Sequence, residues 1–90
     1  MEAKDLVAKY INNTGQVFKE IKTPTTKGIK LDKEKIREVI EYARNYFEDS
    51  KYHCDQKKFE VALTSVAYCE GLLDALRLLG VAEFRWPTNK

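Results

Sequence analysis

No stretch of this sequence approaches the roughly 18 consecutive apolar residues of a membrane span, and none of its segments is free of charge for that long. The first ten residues, MEAKDLVAKY, are charged from Glu2 onward and lack the apolar run of a secretory signal. An excess of one charge is also missing. Sixteen basic residues face fourteen acidic ones, a net charge of +2, and the signs alternate along the chain. That balance excludes the electrostatic footprint of a dedicated nucleic-acid binder. Histidine occurs once and cysteine twice, which is too few for a conventional zinc site of about four ligands. If Lys57 marks a hairpin tip, Cys54 and Cys69 are offset by about nine residues, or roughly 13 Å along the axis, beyond disulfide reach. Both are expected as reduced thiols in a cytoplasmic protein. Lys27-Gly28 is the nearest approach to a phosphate loop, and the glycine spacing and preceding strand of such a loop are absent. Apart from the ambiguous tail, no period-two alternation is long enough for a strand.

What is present suits a single small domain spanning residues 1–90. Hydrophobic residues make up 43% and charged residues 33%, a globular composition and not a disordered one. At this length roughly 60–65% of the unfolded chain's surface can be buried. The margin is thin, and self-association is a common remedy.

The stretch Phe59–Gly80 organises the rest. Phe59, Ala62, Leu63, Val66, Cys69, Leu73 and Leu76 recur at threes and fours and define one apolar face. A second set, Val61, Tyr68, Leu72, Ala75 and Leu79, lies about a third of a turn away. A helix apolar over so much of its circumference needs cover on more than one side. This helix is expected over about 58–80.

A first helix is expected over 3–21, with Leu6, Val7, Tyr10, Ile11, Thr14, Val17, Phe18 and Ile21 as its stripe. Gly15 interrupts it at a cost of about 1 kcal/mol relative to alanine and is expected to face outward as a surface glycine. Pro24 disfavours helix at Thr23, so the helix should stop by Lys22. The segment Thr23–Lys30 is the linker. A second helix over 33–55 starts at the N-cap Asp32 and buries Ile36, Val39, Ile40, Ala43, Tyr46, Phe47, Ser50 and Cys54. Asp55-Gln56-Lys57-Lys58 is so short a connection that the last two helices must form an antiparallel hairpin. The fold class is all-α, an up-and-down three-helix bundle with a short apolar tail, 81–90, after Gly80. Val81, Phe84 and Trp86 in that tail need a surface to lie on.

One pattern is more specific. Tyr42-Ala43-x-x-Tyr46-x-x-Asp49-Ser50-x-Tyr52, then Phe59-x-x-Ala62-Leu63, then Ala67-Tyr68-x-Glu70-Gly71-Leu72-Leu73-Asp74-Ala75, resembles a small archaeal family known as domain of unknown function 357. The likeness covers residues 5–80 in layout and 42–80 in motif. It implies a compact helical bundle and an archaeal, cytoplasmic origin, and it supplies no activity and no catalytic residue. Members usually turn between the last two helices with Gly-Asp, where Lys57-Lys58 stand here, so a looser or longer turn is expected.

Glu70 and Asp74 are four apart on one face, with Arg77 three residues beyond. Hairpin register places Arg44 near the level of Glu70, and Tyr42 and Tyr46 on neighbouring turns. Such a carboxylate pair suits acid–base chemistry or a divalent cation, or else a structural polar network satisfied by arginine and tyrosine. Asp49 and His53 are read as a solvated i,i+4 pair. The hairpin's aromatic–alanine pattern is that of a tetratricopeptide unit, but arrays of that kind need about three or more repeats and only one is present. Two functional readings follow. One is a non-enzymatic helical interaction module, either self-associating as a homodimer or serving another protein as an accessory subunit, with Val61, Tyr68, Leu72, Leu79, Phe84 and Trp86 as its interface. The other is a small-ligand or metal-dependent enzyme centred on Glu70 and Asp74. The first is favoured, because the apolar coverage of the third helix exceeds what two partner helices require. No catalytic residue, metal ligand set or cofactor is assigned, and neither nucleic acid nor membrane is indicated as a partner.

Overall fold

A computed structural model describes residues 2–23 and 32–87, and three helices make up most of them: α1 Ala3–Glu20, α2 Lys33–Asp55 and α3 Phe59–Leu78. Of the linker expected over Thr23–Lys30, residues 24–30, with Pro24 and Lys27-Gly28, lie outside the described residues, as do residues 88–90 of the tail. The bundle and its hairpin are as the periodicity predicts. α3 is the central element and contacts both others, most extensively α2, while α1 and α2 touch least.

Each helix end has a local cause. Asp32 caps α2, its carboxylate accepting the Glu34 amide at 2.9 Å. That satisfies one of the donors a helix start leaves open. α2 and α3 then end in the same way. In both, the second residue past the cap donates back to the third residue from the helix end, Lys58 to the His53 carbonyl and Val81 to the Leu76 carbonyl. The left-handed residue just before it donates to the carbonyl three residues back, Lys57 to Cys54 and Gly80 to Arg77. This is the Schellman arrangement, whose pivot is most often glycine. Gly80 supplies it at φ 78, whereas Lys57 adopts φ 62 with a full side chain. The expected loosening of the hairpin turn does not occur, because Lys57 itself takes the left-handed conformation.

Two boundaries differ slightly from expectation. α1 stops at Glu20, with Ile21 already extended, and α3 stops at Leu78. At the first of these, Lys22 forms an isolated antiparallel bridge with Glu83, amide to carbonyl at 3.0 Å one way and 2.7 Å the other. The tail is therefore fastened to the end of α1.

The core runs the length of the bundle. Val17, Ala43, Phe47, Cys69 and Leu73 occupy the middle, and Val7, Ala62 and Val66 the hairpin-tip end. Ile36, Ile40, Leu76, Val81 and Ala82 close the other end. Val81 thus completes the core beside Leu76, a contact the Schellman motif commonly brings with it. Gly15 is not the outward-facing glycine expected from its spacing. A Cβ there would meet Phe47 Cζ at 3.3 Å, so α1 and α2 approach each other through it. Asn13 and Thr14 beside it are buried.

Candidate functional site

Of the four charged groups expected as a site, the three on α3 sit on its flank that faces α1 and the tail, and their partners are internal. Glu70 is half-buried and accepts a hydrogen bond from the Thr14 hydroxyl at 3.2 Å. Asp74 accepts from Arg77 Nε at 3.0 Å and from Trp86 Nε1 at 2.9 Å. The two carboxylates are thereby engaged with different elements, Glu70 with α1 and Asp74 with the tail. Asp74 fixes the end of the tail much as Lys22 fixes its beginning.

Arg44 lies over the Phe18 ring, 4.6 Å from its centroid, and pairs with Glu41 at 3.5 Å. It also acts with Glu70 on one buried group, the Cys69 thiol. Burial pushes that thiol up to about 12, Glu70 adds in the same direction, and the Arg44 cation pulls part of the way back. Arg44 and Glu70 therefore share a neighbourhood, as the hairpin register suggests.

The tyrosines belong to a different place. Tyr46 stacks on Tyr68 at 4.5 Å, and Tyr42 tilts against Tyr46 at 5.7 Å. Tyr46 and Tyr68 stand eleven residues either side of Lys57, which is the register of a tight hairpin. Tyr68 precedes Asp74 by six residues, and at about 100° per residue that places it well round the helix from the carboxylate flank. The six residues proposed from sequence thus divide between two flanks of α3.

An open cleft of about 520 Å³ does lie beside the tail, lined by Glu20, Lys22, Arg77, Gly80, Glu83 and Arg85 among others. Its charges alternate in sign, and Glu20 is already used by the Arg85 amide at 2.9 Å. No group of three or more histidine, cysteine, aspartate or glutamate residues among those described is placed to hold a metal ion. His53 is half-buried, not solvated, with its edge toward Tyr52. Its Nδ1 has no hydrogen-bond partner among the described residues, so the expected Asp49 pair does not form there.

The expected interface is partly open. Val61 is 48% exposed, Tyr68 51% and Leu79 53%, whereas Leu72 is half-buried against the central core. The tail does not cover this seam. Phe84 and Trp86 pack edge to face on the central core cluster, with Trp86 anchored at Asp74. Asp74 and Leu72 are two residues apart, hence about 200° apart around the helix. The reason is Gly80: its left-handed turn seats Val81 against Leu76, and the Lys22–Glu83 bridge then holds the chain on the α1 side.

Sequence reasoning missed the most exposed of the large hydrophobic residues described, Leu78, at 73% exposure. It belongs to neither apolar set. The signal that points to it is how few charges α3 exposes: of its outward positions only Glu60 and Arg77 are charged, while Val61, Thr64, Ala67, Tyr68, Gly71, Ala75, Leu78 and the cap residue Leu79 are not.

Among the described residues no helix is long and apolar enough to cross a membrane. Residues 9–82 match the model of a family described as Protein of unknown function (DUF357), in line with the hairpin motif of residues 42–80. No curated protein and no solved structure matches the chain.

Proposed function

The chain belongs to the DUF357 family, and we propose that it works as a helical interaction module whose binding surface is the outer face of α3. The observation that carries this reading is the exposure of Val61, Tyr68, Leu78 and Leu79 on one uncharged helix face. Each large apolar side chain left in water forgoes about 1.5–3 kcal/mol of burial, which a small domain can rarely forgo without a reason. Exposed apolar residues gathered on one helix face are one mark of a contact surface. The carboxylate flank gives an enzyme less support, since Glu70 and Asp74 hold α1 and the tail in place.

A photo-reactive phenylalanine analogue placed at Tyr68 tests the reading in the cells that make the protein. Covalent adducts to protein are expected from position 68, and none from Lys51, which is exposed on the α1-facing side of α2. Irradiation that yields no protein adduct from position 68 would sink the module.

A further inference from the structure

The three helices differ in what they bury. The buried residues of α1 are Val7, Asn13, Thr14 and Val17, so half of them are polar. α2 buries one polar residue among five, Ser50, and the buried residues of α3 are all apolar. Ser50 donates to the Phe47 carbonyl of its own helix at 2.6 Å, a bond that owes nothing to α1. We propose that α1 is a lid: it leaves as one unit, the α2–α3 hairpin stays folded, and the apolar face from Val66 to Leu73 is uncovered. The outer face of α3 takes no part in this motion.

Asn13 supplies the first argument. It is 1% exposed, and its Nδ2 has no hydrogen-bond partner among the described residues. A buried donor left unpaired forfeits the water it would bind outside, so the closed state carries a penalty that opening removes. Asn13 also stands in the run Asn12-Asn13-Thr14-Gly15, four residues of weak helix propensity inside α1. The ends of the helix are weak as well. Glu2 at the N-cap makes no side-chain hydrogen bond, and Ile21 leads directly into extended chain without the Schellman closure that finishes α2 and α3.

The packing supplies the second. α2 and α3 contact each other most extensively and α1 and α2 least, so the hairpin keeps its largest interface when α1 goes. Among the links that hold α1 and its end are Thr14 to Glu70, Arg44 over Phe18, the Lys22–Glu83 bridge and the Arg85 amide on Glu20. In each of them at least one partner is exposed or half-buried, where water can replace what opening breaks. Units with few buried apolar contacts open at lower free energy than the whole fold. Beneath α1, Val7 lies with Ala62 and Val66, and Val17 with Cys69 and Leu73. The Cys69 side chain is fully buried in the closed bundle, which makes its thiol a reporter of the open one.

Two readouts test the lid. In a Cys54→Ala chain, a thiol reagent should modify Cys69 without denaturant, with a urea slope well below that of global unfolding. Native-state hydrogen exchange should follow the same shallow slope in α1, whose amides should exchange at least about tenfold faster than the slowest of α2 and α3. Asn13→Leu removes the stranded amide and should slow both readouts about tenfold; Asn13→Ala tests the same loss should leucine prove too large. Lys57→Gly acts at the hairpin turn, away from α1, so it should shift the slowest exchange and leave Cys69 modification unchanged. Cys69 reacting only along the global unfolding slope, or α1 amides as slow as those of α2 and α3, would overturn the lid. A rate at Cys69 that neither Asn13 variant changes would do the same, because the thiol is then reached by another route. So would an equal shift of Cys69 modification and slowest exchange in Lys57→Gly, since the hairpin then unfolds together with α1.

Discussion

Cys69 shows how burial alone makes a side chain inert. Its thiol is held from its ordinary value of 9.0 up to about 12, chiefly by burial, with Glu70 reinforcing and Arg44 opposing. The folded state therefore binds this proton more tightly than the unfolded chain does. Its contribution to stability is fully present below pH about 9 and is lost as pH rises from there toward about 12. Wild type should lose urea resistance across that window, and Cys69→Ala, less stable at neutral pH, should lose less of it. Equal slopes would show that Cys69 is not the titrating group. In the same range a thiol reagent should label the half-buried Cys54 before Cys69, because burial both shields the Cys69 thiol and holds its proton.

Gly15 is a second position where the neighbour decides. Alanine there gains about 1 kcal/mol of helix propensity, but its Cβ arrives 3.3 Å from Phe47 Cζ. Phe47 is itself held, with Phe18 at 5.1 Å and Lys51 over its ring. Crowding of this kind costs on the order of 1–3 kcal/mol, so Gly15→Ala should leave stability no higher than wild type. A raised denaturant midpoint would mean that Phe47 moves freely.

At the scale of elements, four substitutions concern how the helices end and what ties the tail. Asp32→Ala should cost about 1 kcal/mol by removing the α2 cap, and an unchanged denaturant midpoint would refute the cap. Lys57→Gly should stabilise the hairpin by roughly 0.5–1 kcal/mol, since relief of the left-handed strain exceeds the added freedom of the unfolded glycine. Gly80→Ala, at the equivalent place after α3, should do the opposite, and a Lys57→Gly variant no more stable than wild type would mean the turn relaxes without strain. Trp86 is the only tryptophan, so its fluorescence reports on the tail alone. Asp74→Ala removes the acceptor of its Nε1 hydrogen bond. The variant should shift Trp86 emission toward that of exposed indole while the helical circular dichroism stays in place.

These elements also show what a sequence can and cannot convey. The three inner stripes were legible because each is a local pattern of period 3.6, and the buried helix residues fall on them from Val7 to Leu76 except Asn13, which lies off the α1 stripe. Asp32 and Gly80 were legible because caps are local chemistry. The path of the tail was not. It depends on a bridge between Lys22 and Glu83, sixty-one residues apart, and on the direction in which Gly80 turns the chain. The division of Glu70 and Asp74 from Tyr42 and Tyr46 was hidden for the same reason. Periodicity tells which residues share a face of one helix, not which neighbour takes which flank. That limit exchanged Leu72, which the central core half-covers, for Leu78, which the bundle leaves open.

For the whole molecule, stability and association are expected to be linked through Gly71. A partner that binds only the folded chain raises its melting temperature with concentration. Wild type should therefore melt higher as protein concentration increases, by an amount that tracks occupancy of the α3 face. Gly71→Ala should act in opposite directions on the two equilibria. Within one chain its new methyl meets nothing and adds about 1 kcal/mol of helix propensity, so the dilute protein should be more stable than wild type. Against a second copy packed on the α3 face at Gly71, the same methyl would hold the backbones apart and weaken the contact. The melting temperature of Gly71→Ala should then be nearly independent of concentration, and its curve should cross that of wild type as concentration rises. Calorimetry over a hundredfold range of concentration would show this crossing. Parallel curves, with Gly71→Ala above wild type throughout, would mean that nothing approaches Gly71 from outside.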